Sequence, residues 1–190
     1  LSVLLLLSLF TGCGSKTPTL PDKPTQGSSK VLLSAVGDIC MTDAMLTALH
    51  RADGSYDFLS LFGDTVNTIA AADLALGNLE GNFAGAPYSG GSYPDELAGA
   101  LGDAGFDLLQ TANSYSIQNG LTGLQRTKSV IEAERLTALG TYASKSDASA
   151  NRVVVRDVNG IRIAFVAFTK GLNGMSIPAG SEYCTNLLYT

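Results

Sequence analysis

Four side chains with oxygen to offer stand at the ends of three apolar segments. Asp38 follows residues 31–36, Asn78 and Glu80 close 73–79, and Asn113 follows 106–112. Two carboxylates and two carboxamides suit a hard or borderline divalent cation once the fold brings them together. The same residue types after strands also cap helices and close Asx turns, so the spacing leaves both roles open. Imidazole chemistry has little to draw on: His50 is the single histidine, in Leu46-Thr47-Ala48-Leu49-His50-Arg51, where a surface or helix-end position is the ordinary reading. The three cysteines, Cys13, Cys40 and Cys184, form no CxxC or CxxH pattern. Cys40 and Cys184 leave a disulfide or two buried free thiols open, and the lack of a framework spacing favours the thiols. Tyr88, Tyr93 and Tyr115 are available to line a crevice, with packing as the competing role.

These residues need strands that end side by side. Residues 31–36 are a short apolar run ending at Gly37-Asp38, which reads as a strand buried on both faces. A helix is expected over 43–51. Residues 57–72 set Phe58, Leu61, Phe62, Val66 and Ile69 at helical spacing. A second buried strand covers 73–79, and Pro94 opens a helix that Gly105 closes. A third strand spans 106–112. The longest helix is expected over 120–139, with Leu121, Leu124, Ile131 and Leu136 inward and Gly140 as its stop. Residues 152–158 and 161–168 flank Asn159-Gly160, a strong hairpin signal. The alternation predicts an α/β domain: a mainly parallel sheet with helices on both faces, plus a β-hairpin. The ligand site then lies beyond the carboxyl ends of the strands. Residues 81–93, rich in Gly, Ser and Tyr, follow Glu80 directly and read as a substrate lid or a mobile connection.

Twelve Lys and Arg against seventeen Asp and Glu give a net charge of −5, and no basic run occurs, which argues against nucleic acid as a partner. The chain of 190 residues is 45% apolar and 15% charged, the make-up of one folding domain. Residues 1–10 form an apolar run too short to span a bilayer as a helix and read as part of an export signal. Leu9-Phe10-Thr11-Gly12-Cys13 resembles a bacterial lipobox, with Phe10 a departure, and implies lipidation of Cys13 and anchoring by two or more acyl chains. Residues 14–30, rich in Pro, Thr and Ser, read as a disordered tether. The expected organisation is therefore a partial signal over 1–13, a tether over 14–30 and the α/β domain over 31–190. The expected setting is extracytoplasmic, as a membrane-anchored bacterial lipoprotein. Residues 184–190 turn apolar without a cap or polar tail and read as an interrupted domain.

Four blocks in order resemble the CapA family of poly-gamma-glutamate capsule biosynthesis proteins. They are Ala35-Val36-Gly37-Asp38-Ile39, residues 72–80 ending in Asn78-Leu79-Glu80, residues 104–113 ending in Thr111-Ala112-Asn113, and the segment from Gly120 to Thr127 with the later hairpin. The resemblance spans about residues 31–188 and implies a fold related to the calcineurin-like metallophosphoesterases, truncated at its C-terminal side. It implies Asp38, Glu80 and Asn113 as ligands to one or two divalent metal ions; Asn78 and Tyr115, in the same crevice, are read as substrate contacts. The family usually reads Asn-Asn-His here, with an Asp three residues beyond the His, whereas this chain has Asn113-Ser114-Tyr115 and Gln118. A phenol lacks the imidazole nitrogen and its proton exchange near neutrality, which puts Asn113 as a ligand in question. The family's other histidines belong to blocks downstream of Thr190.

Three functions remain in view. The first is an accessory protein of surface-polymer synthesis, transport or anchoring, with the membrane, an anionic polymer and membrane-bound synthesis proteins as partners. The second is a metal-dependent hydrolase of a phosphoester or of an acidic-polymer amide. The third is a non-catalytic polymer- or glycan-binding module. A net-negative protein needs a local cation to hold an acidic polymer.

Overall fold

A computed structural model describes residues 29–189. The expected signal segment, Cys13 and nearly all of the tether lie outside the described residues. The apolar runs become four parallel strands, β1 (Leu33–Ile39), β2 (Leu74–Leu79), β3 (Leu108–Gln110) and β4 (Thr137–Leu139), in the order β1-β2-β3-β4. Sequential parallel neighbours need crossovers, and helices supply them. α1 (Asp43–Leu49) and α2 (Thr65–Ala70) lie between β1 and β2, α3 (Glu96–Asp103) between β2 and β3, and α4 (Gly120–Ala133) between β3 and β4. α5 (Lys145–Asn151) leads into an antiparallel hairpin, β5 (Val154–Val158) and β6 (Ile161–Phe165). Its turn residues, Asn159 at φ 53° and Gly160 at φ 77°, take the paired left-handed conformation that Asn-Gly promises.

Strand alternation divides the core. Ala75, Leu79, Leu109 and Ala138 join Phe58, Ile69, Leu97, Leu101 and Ile131 from the helical layer. Their neighbours Leu76, Leu108 and Leu139 face the other way and pack with Val154, Phe165 and Ala167, so the hairpin covers that face. The α/β class, the mainly parallel sheet and the separate hairpin are those expected.

Several elements differ from the expectation. The strand over 31–36 is not buried on both faces: β1 begins at Leu33, is the sheet edge, pairs with β2 alone, and leaves Leu33 and Val36 exposed. The helix over 57–72 is broken into a 3-10 turn at Leu59–Leu61 and the short α2, with Gly63 at φ 43° between them. The helix over 120–139 stops at Ala133, and Arg135 at φ 62° turns the chain so that residues 137–139 enter the sheet as β4. Leu136 is therefore not a helix-face residue. Cys40 and Cys184 are free thiols, as favoured, but only Cys184 is buried.

Candidate functional site

A register shift places the first carboxylate. β1 and β2 run in step from Leu33 opposite Leu74 to Ala35 opposite Leu76, then resume with Asp38 opposite Asn78 and Ile39 opposite Leu79. One extra residue is thus accommodated in β1 around Val36 and Gly37. Without it, Asp38 would stand opposite Leu79, on the face turned toward the helical core; the bulge moves it to the face of Asn78.

From there a chain of hydrogen bonds crosses three strand ends. Asn78 Nδ2 donates to Asp38 Oδ1 at 2.7 Å, and Asn113 Nδ2 donates to Asn78 Oδ1 at 3.0 Å and to the Leu79 carbonyl at 2.7 Å. Asn113 Oδ1 accepts from the Tyr115 backbone N–H at 2.9 Å, and Ser116 Oγ accepts from the Asn113 N–H at 2.8 Å. A carbonyl acceptor on one side and an N–H donor on the other fix the orientation of the Asn113 amide. As placed, its oxygen is committed to its own loop and its nitrogen points to the neighbouring strand. Asn113 is buried and positions Asn78, which in turn positions Asp38.

Glu80 completes the group. Burial raises its carboxyl above the ordinary value, and the negative charge of Asp38 adds to the shift. The backbone of Glu80 is tied on both sides: its N–H donates to Ile39 O at 3.0 Å and its carbonyl accepts from Tyr93 Oη at 2.6 Å. Tyr93 is fully buried, and burial pushes its phenol up to about 12. It is thus a structural donor, not a crevice-lining group. Tyr115 and Glu80 line a cleft of about 490 Å³ together with Cys40, Asp43, Ser89 and Gly90.

The loop over 81–93 forms a wall of that cleft through Ser89 and Gly90 and is strapped to its neighbours at several points. Asn82, Phe83, Ser92 and Tyr93 are buried. The Gly90 N–H donates to Asp43 Oδ1 at 2.7 Å, Asn119 Nδ2 donates to the Gly91 carbonyl at 2.6 Å, and the Phe83 N–H donates to Thr127 Oγ1 at 2.9 Å. Arg126 forks onto both oxygens of Asp95 at 2.7 Å and reaches the Phe83 carbonyl at 2.7 Å. Asn82, Asn119 and Arg126 did not stand out in the sequence, and Thr127 did so only as the end of the family-like segment from Gly120; the one signal for the loop contacts was an amide, Asn82, two residues beyond Glu80.

The fold thus brings together Asp38, Asn78, Glu80, Asn113 and Tyr115 at the carboxyl ends of the first three strands. Among the described residues no three or more His, Cys, Asp and Glu side chains stand close enough together to hold a metal ion. The carboxylates that a metal would meet here are the pair Asp38 and Glu80, two like charges: Glu80 lines the cleft and Asp38 the adjoining hollow that shares Cys40 and Met41, and among the described residues no lysine or arginine lines either. His50 ends α1 as its C-terminal cap, in line with the helix-end reading.

Residues 32–186 match the model of a protein family described as bacterial capsule synthesis protein PGA_cap. The chain belongs to this family. All five strand-end residues fall inside the matched span, and the PGA_cap fold is metallophosphoesterase-like, as the resemblance implied. Two curated relatives from Sinorhizobium fredii, the uncharacterized proteins y4uA and y4sH, are 28% and 27% identical over 131 residues, each taking in 63% of this chain and 26% of the relative. The chain therefore spans about a quarter of the length of those relatives. A capsule-synthesis role is what the PGA_cap membership supports.

Proposed function

We propose that this chain is part of an extracytoplasmic bacterial protein, tethered to the membrane through a lipidated Cys13, that handles an anionic surface polymer during capsule synthesis alongside membrane-bound synthesis proteins. PGA_cap membership carries the reading, and the export-type segment with its Cys13 motif supports the location. The strand-end crevice is the polymer contact. Asp38 and Glu80 hold one divalent cation there, while Asn78 and Tyr115 line the approach. A cation so bound supplies the positive charge that a chain of net charge −5 lacks, and it would equally lower the pKa of a bound water. Asn113 serves as a positioning residue, its amide engaged on both sides.

A second reading, hydrolysis of a phosphoester or acidic-polymer amide, is favoured by the raised carboxyl of Glu80 beside Asp38. It is disfavoured by Tyr115, because the cleft offers a phenol and no imidazole to protonate a leaving group. A polymer-binding module without turnover is the same crevice with the cation used for grip alone.

Deleting the gene in a host that makes an anionic capsule tests the first reading. Surface polymer is expected to fall, to be restored by the wild type, and to remain low with Cys13→Ala or with Asp38→Asn combined with Glu80→Gln. Unchanged polymer in the deletion overturns it. Incubating the chain and Mn²⁺ with poly-gamma-glutamate or p-nitrophenyl phosphate separates the second: release above a chelated control makes it a hydrolase.

A further inference from the structure

Beside the crevice lies a recess that the reading above does not use. It has a volume of about 330 Å³ and is lined by Asp43, Leu46, Thr47, His50, Tyr56 and Tyr88. Three of these are rings set at angles to one another. Tyr56 and Tyr88 stand at 86° with centroids 6.1 Å apart, and His50 meets Tyr56 at 65° and 5.0 Å. Tyr56 is held from behind by stacking on the buried Phe58 at 5.2 Å. Asp43 lines the recess with these rings, its exposed carboxylate held by the Gly90 N–H on Oδ1 at 2.7 Å. Among the described residues no lysine or arginine lines the recess. The Tyr88 phenol is raised by burial and then by Glu96 and Asp95, with Arg126 opposing, so the surroundings of that ring are net negative.

Aromatic rings beside a carboxylate are the chemistry that holds an alkylated ammonium, whose weak hydration makes it cheap to bring against a ring. We infer that this recess binds an alkylated ammonium group, of quaternary type, against the Tyr56 and Tyr88 rings with Asp43 as its counter-charge. Asp43 borders both hollows, and the loop gives Tyr88 to the recess and Ser89 and Gly90 to the crevice, so the cation would sit next to whatever occupies the crevice.

The test titrates the chain with choline and with its neutral isostere 3,3-dimethylbutan-1-ol at pH 8, where an ordinary imidazole is neutral, following the amide resonances of His50, Tyr56 and Gly90. Saturable shifts are expected with choline and weaker ones with the alcohol. Tyr88→Phe keeps the affinity within about twofold, while Tyr88→Ala weakens it about three- to tenfold, with thermal midpoints matching the wild type. Equal response to the two probes, no saturable shift, or a Tyr88→Ala chain that binds choline as tightly as the wild type overturns the inference. Sedimentation with phosphatidylcholine vesicles but not phosphatidylglycerol vesicles would assign the group to a lipid headgroup; choline binding without sedimentation assigns it to a free solute.

Discussion

Asp38 and Glu80 repel each other when both are ionised, and the burial of Glu80 enlarges the penalty. A carboxyl raised in the folded chain favours the folded state fully below the ordinary carboxylate value. That contribution is lost as pH rises through the raised value, because the folded chain holds the proton more tightly than the unfolded one. Glu80→Gln is therefore expected to be more stable than the wild type at pH 7 in chelator, by up to about 1 kcal/mol for a half-buried, partly screened group. The gain should vanish near pH 4, where both chains carry a neutral group. With millimolar Mn²⁺ or Mg²⁺ the order should reverse, since the intact pair gains binding free energy that the variant lacks. Thermal denaturation across pH, with and without chelator, reads all three; a variant no more stable at pH 7 in chelator would remove the repulsion from the account. Behind the pair, Gly81 admits no side chain, because a Cβ there would fall 2.2 Å from the buried Tyr93 ring. Gly81→Ala should cost about 1–3 kcal/mol in urea denaturation by driving that ring off the Glu80 carbonyl. A loss under about 0.5 kcal/mol would mean that the ring moves freely.

At the scale of elements, the loop over 81–93 is shaped by what grips it, and Arg126 grips it most widely, joining α4 to Asp95 and to the Phe83 carbonyl. A lysine in its place keeps the charge and loses the fork. Arg126→Lys should leave the helical circular dichroism unchanged, cost about 1 kcal/mol or less because both partners are part-exposed, and speed proteolysis within 81–93. Proteolysis at the wild-type rate would show that the other straps suffice. The elements that sequence reasoning read well had punctuation in the chain: Asn159-Gly160 for the hairpin, Pro94 and Gly105 around α3. β4 had none. Arg135 makes the left-handed turn that a glycine would have announced, and Gly140, read as the helix stop, lies just beyond β4. Gly63, breaking the 57–72 stretch, was overridden by the regular spacing of five apolar residues around it.

For the molecule as a whole, the convergence of Asp38, Asn78, Glu80 and Asn113 was legible because parallel strands laid in sequence order must end side by side, and each strand's last polar residue is plain in the chain. The role of each was not. The β1 bulge that turns Asp38 into the crevice and the engagement of both ends of the Asn113 amide depend on register and loop geometry, which no residue type encodes. Nor does an apolar run reveal whether a strand lies mid-sheet or, like β1, at its edge. The overall charge sets the last expectation. A chain of net charge −5 whose crevice is walled by Asp43 and Glu80, with the Asp38 charge beside them, repels poly-gamma-glutamate at every range that salt does not screen. Retention of the chain on immobilised poly-gamma-glutamate should therefore be absent in chelator at about 20 mM salt. It should appear with millimolar Mn²⁺ or Mg²⁺ and be lost again in the Asp38→Asn, Glu80→Gln double variant, while monovalent salt at equal ionic strength should not substitute. Retention in chelator that strengthens with added NaCl would instead mean that screening alone suffices, and would take the cation out of polymer recognition.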